Sequence, residues 1–283
     1  MPVTELRRAP APDGELLAYE VRHEPGAWPP LLALHGVLVG SSNWIHQMLR
    51  LPQFWWIVPH IRGHGESPPP QPRQTIEEAA LDALAVLDAE GVERAVVLGN
   101  SLGATIAFAL ALLRPERVDA LVLVEPSIPA LLSDDAGRAR LEQEARQARA
   151  LLAADRIDEA LAIFLEPRLG PDWQHKAGSR RMAEWRRNIF SVPQWIDAVL
   201  AFDPGPGVIA ALDRPMLLVY GAHTQPFYRA MTLALADLCP HAELVEVPNA
   251  GHGSPADNPE GFNAVLLAFL ERLGLLPASS SSS

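Results

Sequence analysis

Short apolar runs that end in glycine or proline alternate along this chain with longer segments of helical period. The apolar runs cover residues 15–22, 30–36, 54–60, 94–99, 120–126, 215–221 and 242–248. The clearest helical patterns between them cover 75–91, 101–116, 225–238 and 258–274. Most of the runs lack apolar–polar alternation, which is typical of strands that helices cover on both faces. This order predicts an α/β fold with a doubly wound, mostly parallel sheet.

One long segment, 128–207, holds no strand-like run and carries charged helical patterns instead. We expect it to form a helical cap inserted into a core made of residues 1–127 and 208–275. The serine-rich end, 276–283, is expected to be a disordered tail. The cap is rich in aromatic residues, which fit either its own core or the wall of an apolar substrate cavity. We expect some of four to line the cavity: Trp173, Trp185, Phe190 and Trp195.

Composition excludes several classes of partner. The chain has 23 basic and 34 acidic residues and a net charge of −11, which argues against binding to nucleic acids or anionic membranes. No run approaches the roughly 18 apolar residues of a membrane span, and the first residues do not resemble a signal peptide. We therefore expect a cytoplasmic protein. A single cysteine, Cys239, excludes an intramolecular disulfide and is expected to be a buried thiol.

The strongest local signal is Gly99-Asn100-Ser101-Leu102-Gly103, which matches G-x-S-x-G between an apolar run and a helical pattern. In that context the motif predicts a sharp strand-to-helix turn that raises the serine hydroxyl above the sheet. The start of the helix also supplies free N–H groups that favour developing negative charge. A serine that merely caps the helix is the alternative. We expect Ser101 to be a nucleophile.

A serine nucleophile needs a base, and the base needs a third group that orients it. Of the nine histidines, His252 lies between the last predicted strand and the last helix. A loop there reaches the carboxyl edge of the sheet, where ligands of such folds bind. We expect His252 to be the base. Three others are expected to hold loops near the site: His35, His60 and His64.

The acid of the triad has two candidate places in the chain order of this motif. After the run 215–221 the chain carries Thr224 but no carboxylate in residues 222–226. After Val124 it carries Glu125, whose buried charge would need a partner, such as an imidazole that becomes cationic during turnover. We expect Glu125 to be the acid and Thr224→Ala to be nearly silent. Two distant alternatives are Asp203 and Asp257.

Two backbone amides are expected to stabilise the oxyanion. They are the N–H of Leu102 at the helix start and the N–H of Val37 in the loop after the run 30–36.

The sequence lacks the motifs of nucleotide-binding and zinc sites. No G-x-G-x-x-G follows the first run, Lys176 is the only lysine and lies in no Walker motif, and no His/Cys/Asp cluster has zinc spacing. We expect neither a cofactor nor a metal.

Several segments together resemble the serine hydrolases of the α/β-hydrolase fold: LLALHGVLVGSSNW, PHIRGHGES, GNSLGA, LVLVEP and GHGSPADNPEGFNAVLLAFL. The resemblance covers the chain except for the cap and the tail. It implies an eight-stranded, mostly parallel sheet, a helical cap between strands six and seven, and no cofactor. In two places the chain departs from the family pattern: His60 stands where aspartate is common, and Thr224 where the acid usually follows strand seven. The second departure resembles the branch with its acid after strand six, which includes zearalenone-type lactonases and some esterases.

The predicted function is therefore the hydrolysis of a small, apolar carboxylic ester through an acyl-enzyme intermediate. A lactonase that uses the same residues on a cyclic ester remains an alternative, because caps carry no transferable code. A hydrolase-fold protein whose triad has become a ligand pocket is a third hypothesis, which the intact set of site residues disfavours. We expect medium-chain or aromatic esters to be better substrates than acetates. The sequence makes no prediction of the oligomeric state.

Overall fold

The apolar runs form the strands of one sheet in a computed structural model that describes residues 4–23 and 28–277. The strands are β1 Glu5–Pro10, β2 Leu16–Arg22, β3 Trp28–Leu34, β4 Phe54–Pro59, β5 Ala95–Asn100, β6 Val118–Val124, β7 Met216–Gly221 and β8 Glu243–Val247. The helices are α1 Ile45–Arg50, α2 Ile76–Ala89, α3 Leu102–Leu113, α4 Ala136–Ala153, α5 Ile157–Leu169, α6 Ser179–Asn188, α7 Val192–Ala201, α8 Pro206–Ala210, α9 Pro226–Leu238, α10 Ser254–Asp257 and α11 Pro259–Arg272. Of the predicted tail, residues 278–283 lie outside the described residues.

The sheet has the strand order β1-β2-β4-β3-β5-β6-β7-β8. β2 pairs antiparallel with β1 and β4, and all other neighbours are parallel. The predicted eight-stranded, mostly parallel sheet is confirmed. No apolar run indicated β1, because it is an edge strand whose side chains are almost all exposed. Solvated edge strands need no apolar pattern and often carry charges.

Helices bury both faces of the sheet. On β3, Leu32 and Leu34 point into the core beneath α2 and α3, whereas Leu31 and Ala33 point into the core beneath α1 and α11. Successive residues of a strand face opposite sides, so a strand that is covered on both sides is apolar throughout. This arrangement explains the absence of alternation in the central runs.

The parallel strands bring the candidate site residues to one edge of the sheet. β5 lies between β3 and β6, and β7 follows β6. Because the carboxyl ends of parallel strands meet at the same edge, the residues after these four strands are neighbours. They are the loop from His35 to Leu38, the Ser101 turn, Glu125 and the loop from Ala222 to Thr224.

The segment between β6 and β7, residues 125–215, contains helices α4 to α8. The structure describes the backbone of this whole segment, and it contains no strand. We call these five helices the insertion. Helices α4 to α7 contribute to a separate apolar cluster, whereas Ile209 of α8 joins the core beneath α2 and α3. Leu38, from the loop after β3, joins that cluster and so connects the insertion to the sheet. Among the described ranges, no helix combines the length and hydropathy needed to cross a bilayer.

Two buried histidines shape the loop after β3. The N–H of Leu38 donates to His64 Nε2 at 3.1 Å, and the N–H of Ile61 donates to His35 Nε2 at 3.1 Å. Each imidazole therefore uses Nε2 as an acceptor and keeps its proton on Nδ1, which is the neutral form. Burial lowers the pKa of His64 to about 4 and that of His35 well below its usual range.

The insertion holds the same loop from the other side. Leu38 has φ 73°, which a residue with a bulky side chain seldom adopts. The side-chain amide of Asn188, at the end of α6, donates to the carbonyl of Leu38 at 2.8 Å. His64 and Asn188 thus satisfy the N–H and the carbonyl of one strained residue, which positions Val37 beside it.

We expect the free energy of unfolding to fall as the pH drops from about 6.5 to about 4, because the unfolded chain protonates His64 at its usual pKa of 6.5 and the folded chain only near 4. Across this window the unfolded state binds more protons, so stability is present above it and lost below it. For His64 the difference amounts to about 3 kcal/mol. Urea unfolding of the wild type at pH 7, 5.5 and 4.5 measures it.

His64→Gln is the matched variant, because the amide oxygen accepts at the Nε2 position but does not titrate in this range. The variant should lose less free energy of unfolding between pH 7 and 4.5 than the wild type does. Equal losses in the two proteins would contradict the assignment of a neutral, buried His64.

Candidate active site

Ser101 lies at the sharp turn between β5 and α3. Its backbone has φ 54° and ψ −117°, a sparsely populated conformation that neighbouring structure must hold in place. The flanking glycines allow this approach. A Cβ atom at Gly99 would lie 2.3 Å from the carbonyl oxygen of Gly103, and one at Gly103 would lie 2.2 Å from that of Leu34. The turn therefore requires glycine on both sides of the serine.

Glu125 is the first residue after β6 and is fully buried. Its Oε1 accepts the N–H of Gly221 at 2.9 Å, and its Oε2 accepts the hydroxyl of Thr224 at 2.6 Å. Nδ1 of His252 lies 2.5 Å from the same Oε2. Three donors thus compensate the burial of this carboxylate, which would otherwise be costly.

His252 lies in the loop between β8 and α10. The bond to Glu125 places a proton on Nδ1, so Nε2 is the acceptor in the neutral imidazole. The side-chain amide of Asn100 donates to the carbonyl of His252 at 3.2 Å and to that of Val124 at 3.4 Å. The residue before Ser101 therefore ties the histidine loop to the turn. The imidazole stacks on the ring of Tyr228, with centroids 3.8 Å apart and an interplanar angle of 25°.

The structure does not bring the alternative acids to the imidazole. Asp257 accepts the N–H of Gly251 at 2.9 Å, and Asp203 accepts the N–H of Gly205 at 3.1 Å.

Cys239 is buried, and burial raises the pKa of its thiol to about 11. That pKa keeps the thiol protonated at neutral pH, so it is a poor nucleophile.

A small cavity, which we call the serine cavity, opens beside Ser101. Its walls are formed by Val37, Ser101, Leu102, Ser127, Leu141, Phe164, Arg168, Trp195, Ile196, Val199 and Tyr228. The structure thus brings both predicted oxyanion residues, Val37 and Leu102, to the serine. As the first residue of α3, Leu102 has an N–H with no acceptor inside the helix. The volume of about 30 Å³ is enough for about one water molecule.

Of the four aromatic residues predicted to line this cavity, only Trp195 does so. Trp173 and Trp185 pack against each other inside the insertion, with ring centroids 6.0 Å apart. The side chain of Phe190 is 57% exposed and lines a separate groove on the surface. The aromatic residues are dense in this segment because the insertion has a core of its own, so their number did not indicate which of them line this cavity.

Sequence reasoning missed four polar or aromatic contributors to the site: Asn100, Arg168, Thr224 and Tyr228. Thr224→Ala was expected to leave activity nearly unchanged, but the hydroxyl of Thr224 donates to the buried carboxylate of Glu125. Its place after β7, where the family usually has an acid, was the available signal. Asn100 lies within the G-x-S-x-G motif, but nothing in the motif requires its side chain to bond. Arg168 and Tyr228 lie in helical patterns with no distinguishing spacing.

This arrangement contains the parts of a proton relay. A neutral imidazole with a free Nε2 acceptor is able to take a proton from a hydroxyl, and a carboxylate on Nδ1 stabilises the resulting cation. The strained turn and the start of α3 favour negative charge next to the serine. No group in this set requires a metal for such chemistry.

Comparison with known proteins identifies the family of this chain. A family model described as the alpha/beta hydrolase fold matches residues 29–259. A Caulobacter vibrioides protein (strain NA1000 / CB15N), provisionally named carbamate hydrolase RutD, is 31% identical over 271 residues, or 90% of this chain and 95% of the relative. The crystal structure of a hydrolase from Pseudomonas aeruginosa PA01 is 30% identical, with a TM-score of 0.79 over 94% of this chain and 98% of that one. The structure of Est816, described as an N-acyl homoserine lactone degrading enzyme, is 28% identical, with a TM-score of 0.71 over 93% and 100% of the two chains. The protein therefore belongs to the alpha/beta hydrolase family.

Proposed function

We propose that this hydrolase cleaves a carboxylic ester with Ser101 as nucleophile, His252 as base and Glu125 as acid. The observation that carries the proposal is the 2.5 Å contact between Glu125 Oε2 and His252 Nδ1 at the sheet edge that also bears the strained Ser101 turn. A buried carboxylate on Nδ1 is what the base of such a triad needs, because it orients the imidazole and stabilises its cation.

The reaction proceeds in two halves. Ser101 Oγ attacks the ester carbonyl while His252 Nε2 takes the hydroxyl proton, and the N–H groups of Val37 and Leu102 stabilise the oxyanion. The tetrahedral intermediate breaks its bond to the alcohol oxygen, which leaves with the proton from His252. Water then attacks the acyl-serine with the same base, and the carboxylic acid departs as Ser101 regains its proton. Glu125 stays ionised and stabilises the imidazolium in both halves.

A lactone is the second candidate substrate. Est816, which is similar over 93% of this chain, is described as degrading N-acyl homoserine lactones. Opening a cyclic ester uses the same attack and the same oxyanion, but the alcohol stays attached to the acyl group. A hydrolysis panel with both p-nitrophenyl esters and lactones separates the two substrates, and a carbamate arm tests the chemistry named for the Caulobacter relative.

Replacement of Ser101 by alanine should abolish hydrolysis and leave the fold intact. Loss of a covalent nucleophile removes about 10⁶-fold from kcat in a well-studied serine hydrolase. The comparison is kcat on the best substrate of the panel, with circular dichroism as the check of folding. A purified, folded variant that keeps a tenth of wild-type kcat would disprove the assignment.

Replacement of Glu125 by glutamine should lower kcat by about 10⁴-fold with little change in KM, because the amide keeps the shape but cannot stabilise the imidazolium. Thr224→Val, which removes one donor to the carboxylate, should cost about tenfold, and Thr224→Ser should restore most of kcat. Asp203→Asn is the matched control and should behave as wild type. If Glu125→Gln turns over normally, the acid is another residue.

The small serine cavity changes the expected substrate profile. Medium-chain esters were expected from the aromatic residues, but a cavity of about 30 Å³ favours the smallest acyl groups, because longer ones require its walls to separate. The ratio kcat/KM should therefore fall from acetate to octanoate among p-nitrophenyl esters. Ile196→Ala should shift the profile towards longer chains, whereas Phe190→Ala, outside the cavity, should not. A wild-type profile that rises to octanoate would contradict this preference for the smallest acyl groups.

A further inference from the structure

We propose that Tyr228 positions the imidazole of His252, and that a buried ion pair of the insertion, Glu144–Arg168, holds Tyr228 in place. The inference rests on the proposed role of His252 as the base. It assigns to the insertion a part in the chemical step, in addition to any part in substrate selection.

The first observation is that the imidazole is held on two sides. Glu125 bonds one edge of the ring through Nδ1 at 2.5 Å, and this bond alone leaves the ring free to rotate about the line joining the two groups. The ring of Tyr228 covers one face of the imidazole at 3.8 Å and 25°. Together, an edge bond and a face contact define the plane of the ring and therefore the direction of Nε2.

The stack also places an aromatic face against the cation that the imidazole becomes during turnover. The face of a tyrosine ring attracts a cation placed over it, and the attraction is larger where water is excluded. Tyr228 is 4% exposed, so the contact is shielded from solvent. The same ring therefore orients the neutral base and stabilises the imidazolium that follows.

The second observation is the way in which Tyr228 is fixed. Arg168 Nε donates to the phenol oxygen of Tyr228 at 2.6 Å, and Arg168 Nη2 donates to Glu144 Oε2 at 2.9 Å. Arg168 Nη1 donates to the carbonyl of Phe164 at 2.6 Å, and the guanidinium lies 3.8 Å from the centre of the Phe164 ring. Each nitrogen of Arg168 thus has a partner, and the guanidinium is held rigidly between α4, α5 and α9.

The pairing explains why this charged group tolerates burial. The side chains of Arg168 and Glu144 are only 8% and 7% exposed, and such a pair is stable only when its remaining hydrogen-bonding groups are satisfied. Arg140 donates to the other oxygen of Glu144 at 3.0 Å. Burial raises the pKa of the Tyr228 phenol, so the phenol stays neutral and accepts the bond from Arg168.

The third observation is that the hydrogen bond between Arg168 and Tyr228 joins the insertion to the core. Arg168 belongs to α5 of the insertion, whereas Tyr228 belongs to α9, which follows β7 of the core. Their hydrogen bond crosses between the two parts at the serine cavity, whose walls include Ser101, Arg168 and Tyr228. An ion pair that served only the insertion would not need to reach a core side chain that stacks on the base.

Two substitutions at Tyr228 separate the stack from its anchor. Tyr228→Phe keeps the ring and removes the bond to Arg168, and Tyr228→Leu removes both. Phe227→Leu is the matched control, because Phe227 is the preceding aromatic residue on α9 and packs on Tyr228 at 5.4 Å rather than on the imidazole. Urea unfolding of each variant identifies any that fails to fold; in that case Tyr228→Phe carries the test.

We expect Tyr228→Leu to lower kcat by about tenfold with KM changed less than about threefold, as loss of an aromatic contact to the base in the transition state requires. Tyr228→Phe should lose less, and Phe227→Leu should match the wild type. A loss of kcat in Phe227→Leu equal to that in Tyr228→Leu would overturn the proposal, because it would indicate general packing of α9. Unchanged kcat in Tyr228→Leu would overturn it as well.

A second measurement does not depend on ester hydrolysis. The order parameter of the Cε1–H group of His252, measured by NMR relaxation and assigned with His252→Gln, should be high in the wild type and in Phe227→Leu. It should fall in Tyr228→Leu. An unchanged order parameter would overturn positioning. If no substrate in the panel is hydrolysed, the proposed function fails, while this measurement still decides whether Tyr228 orders the imidazole.

Discussion

The close approach of three backbone segments at the end of β5 is the constraint on which the site depends. There is no room for a Cβ atom at Gly99 or Gly103, because carbonyl oxygens of the turn itself and of β3 lie within 2.3 Å of where it would be. This approach forces Ser101 into its strained conformation, and the chain turns sharply there from β5 into α3, which packs against the sheet. The orphan N–H groups at the start of α3 then lie beside the hydroxyl. The geometry of the proposed nucleophile is thus a consequence of packing between strand and helix.

Much of this arrangement was predictable from sequence, and the reason is local. The G-x-S-x-G turn, the position of Glu125 after an apolar strand and the position of His252 before the last helix are each decided by a few consecutive residues. Backbone atoms lie so close to both glycines that no side chain fits at either position. The motif is therefore direct evidence of the sharp turn. The runs of β3 to β7 identified their strands because burial on both faces leaves an unbroken apolar signal.

What the sequence did not indicate depends on contacts between distant segments. β1 carries almost no apolar signal because it is solvated. Trp173, Trp185 and Trp195 have equivalent patterns, and only the packing of the insertion decides that the first two fill its core and the third faces Ser101. The links from Glu144 through Arg168 to Tyr228 join residues 24 and 60 positions apart. No spacing rule predicts such pairs, because their registers are set by the tertiary fold.

The position of the proposed acid, Glu125, follows from the adjacency of β6 and β7. Val124 pairs with Val219, and the N–H of Glu125 donates to the carbonyl of Val219 at 3.0 Å. The two strand ends therefore lie side by side, and a carboxylate from either is able to reach the same imidazole. In this chain the carboxylate comes from the end of β6. It accepts the N–H of Gly221, the last residue of β7, and the hydroxyl of Thr224 in the loop that follows. With the carboxylate at the end of the neighbouring strand, Thr224 donates a hydrogen bond to the proposed acid from the place where the family usually has the acid itself.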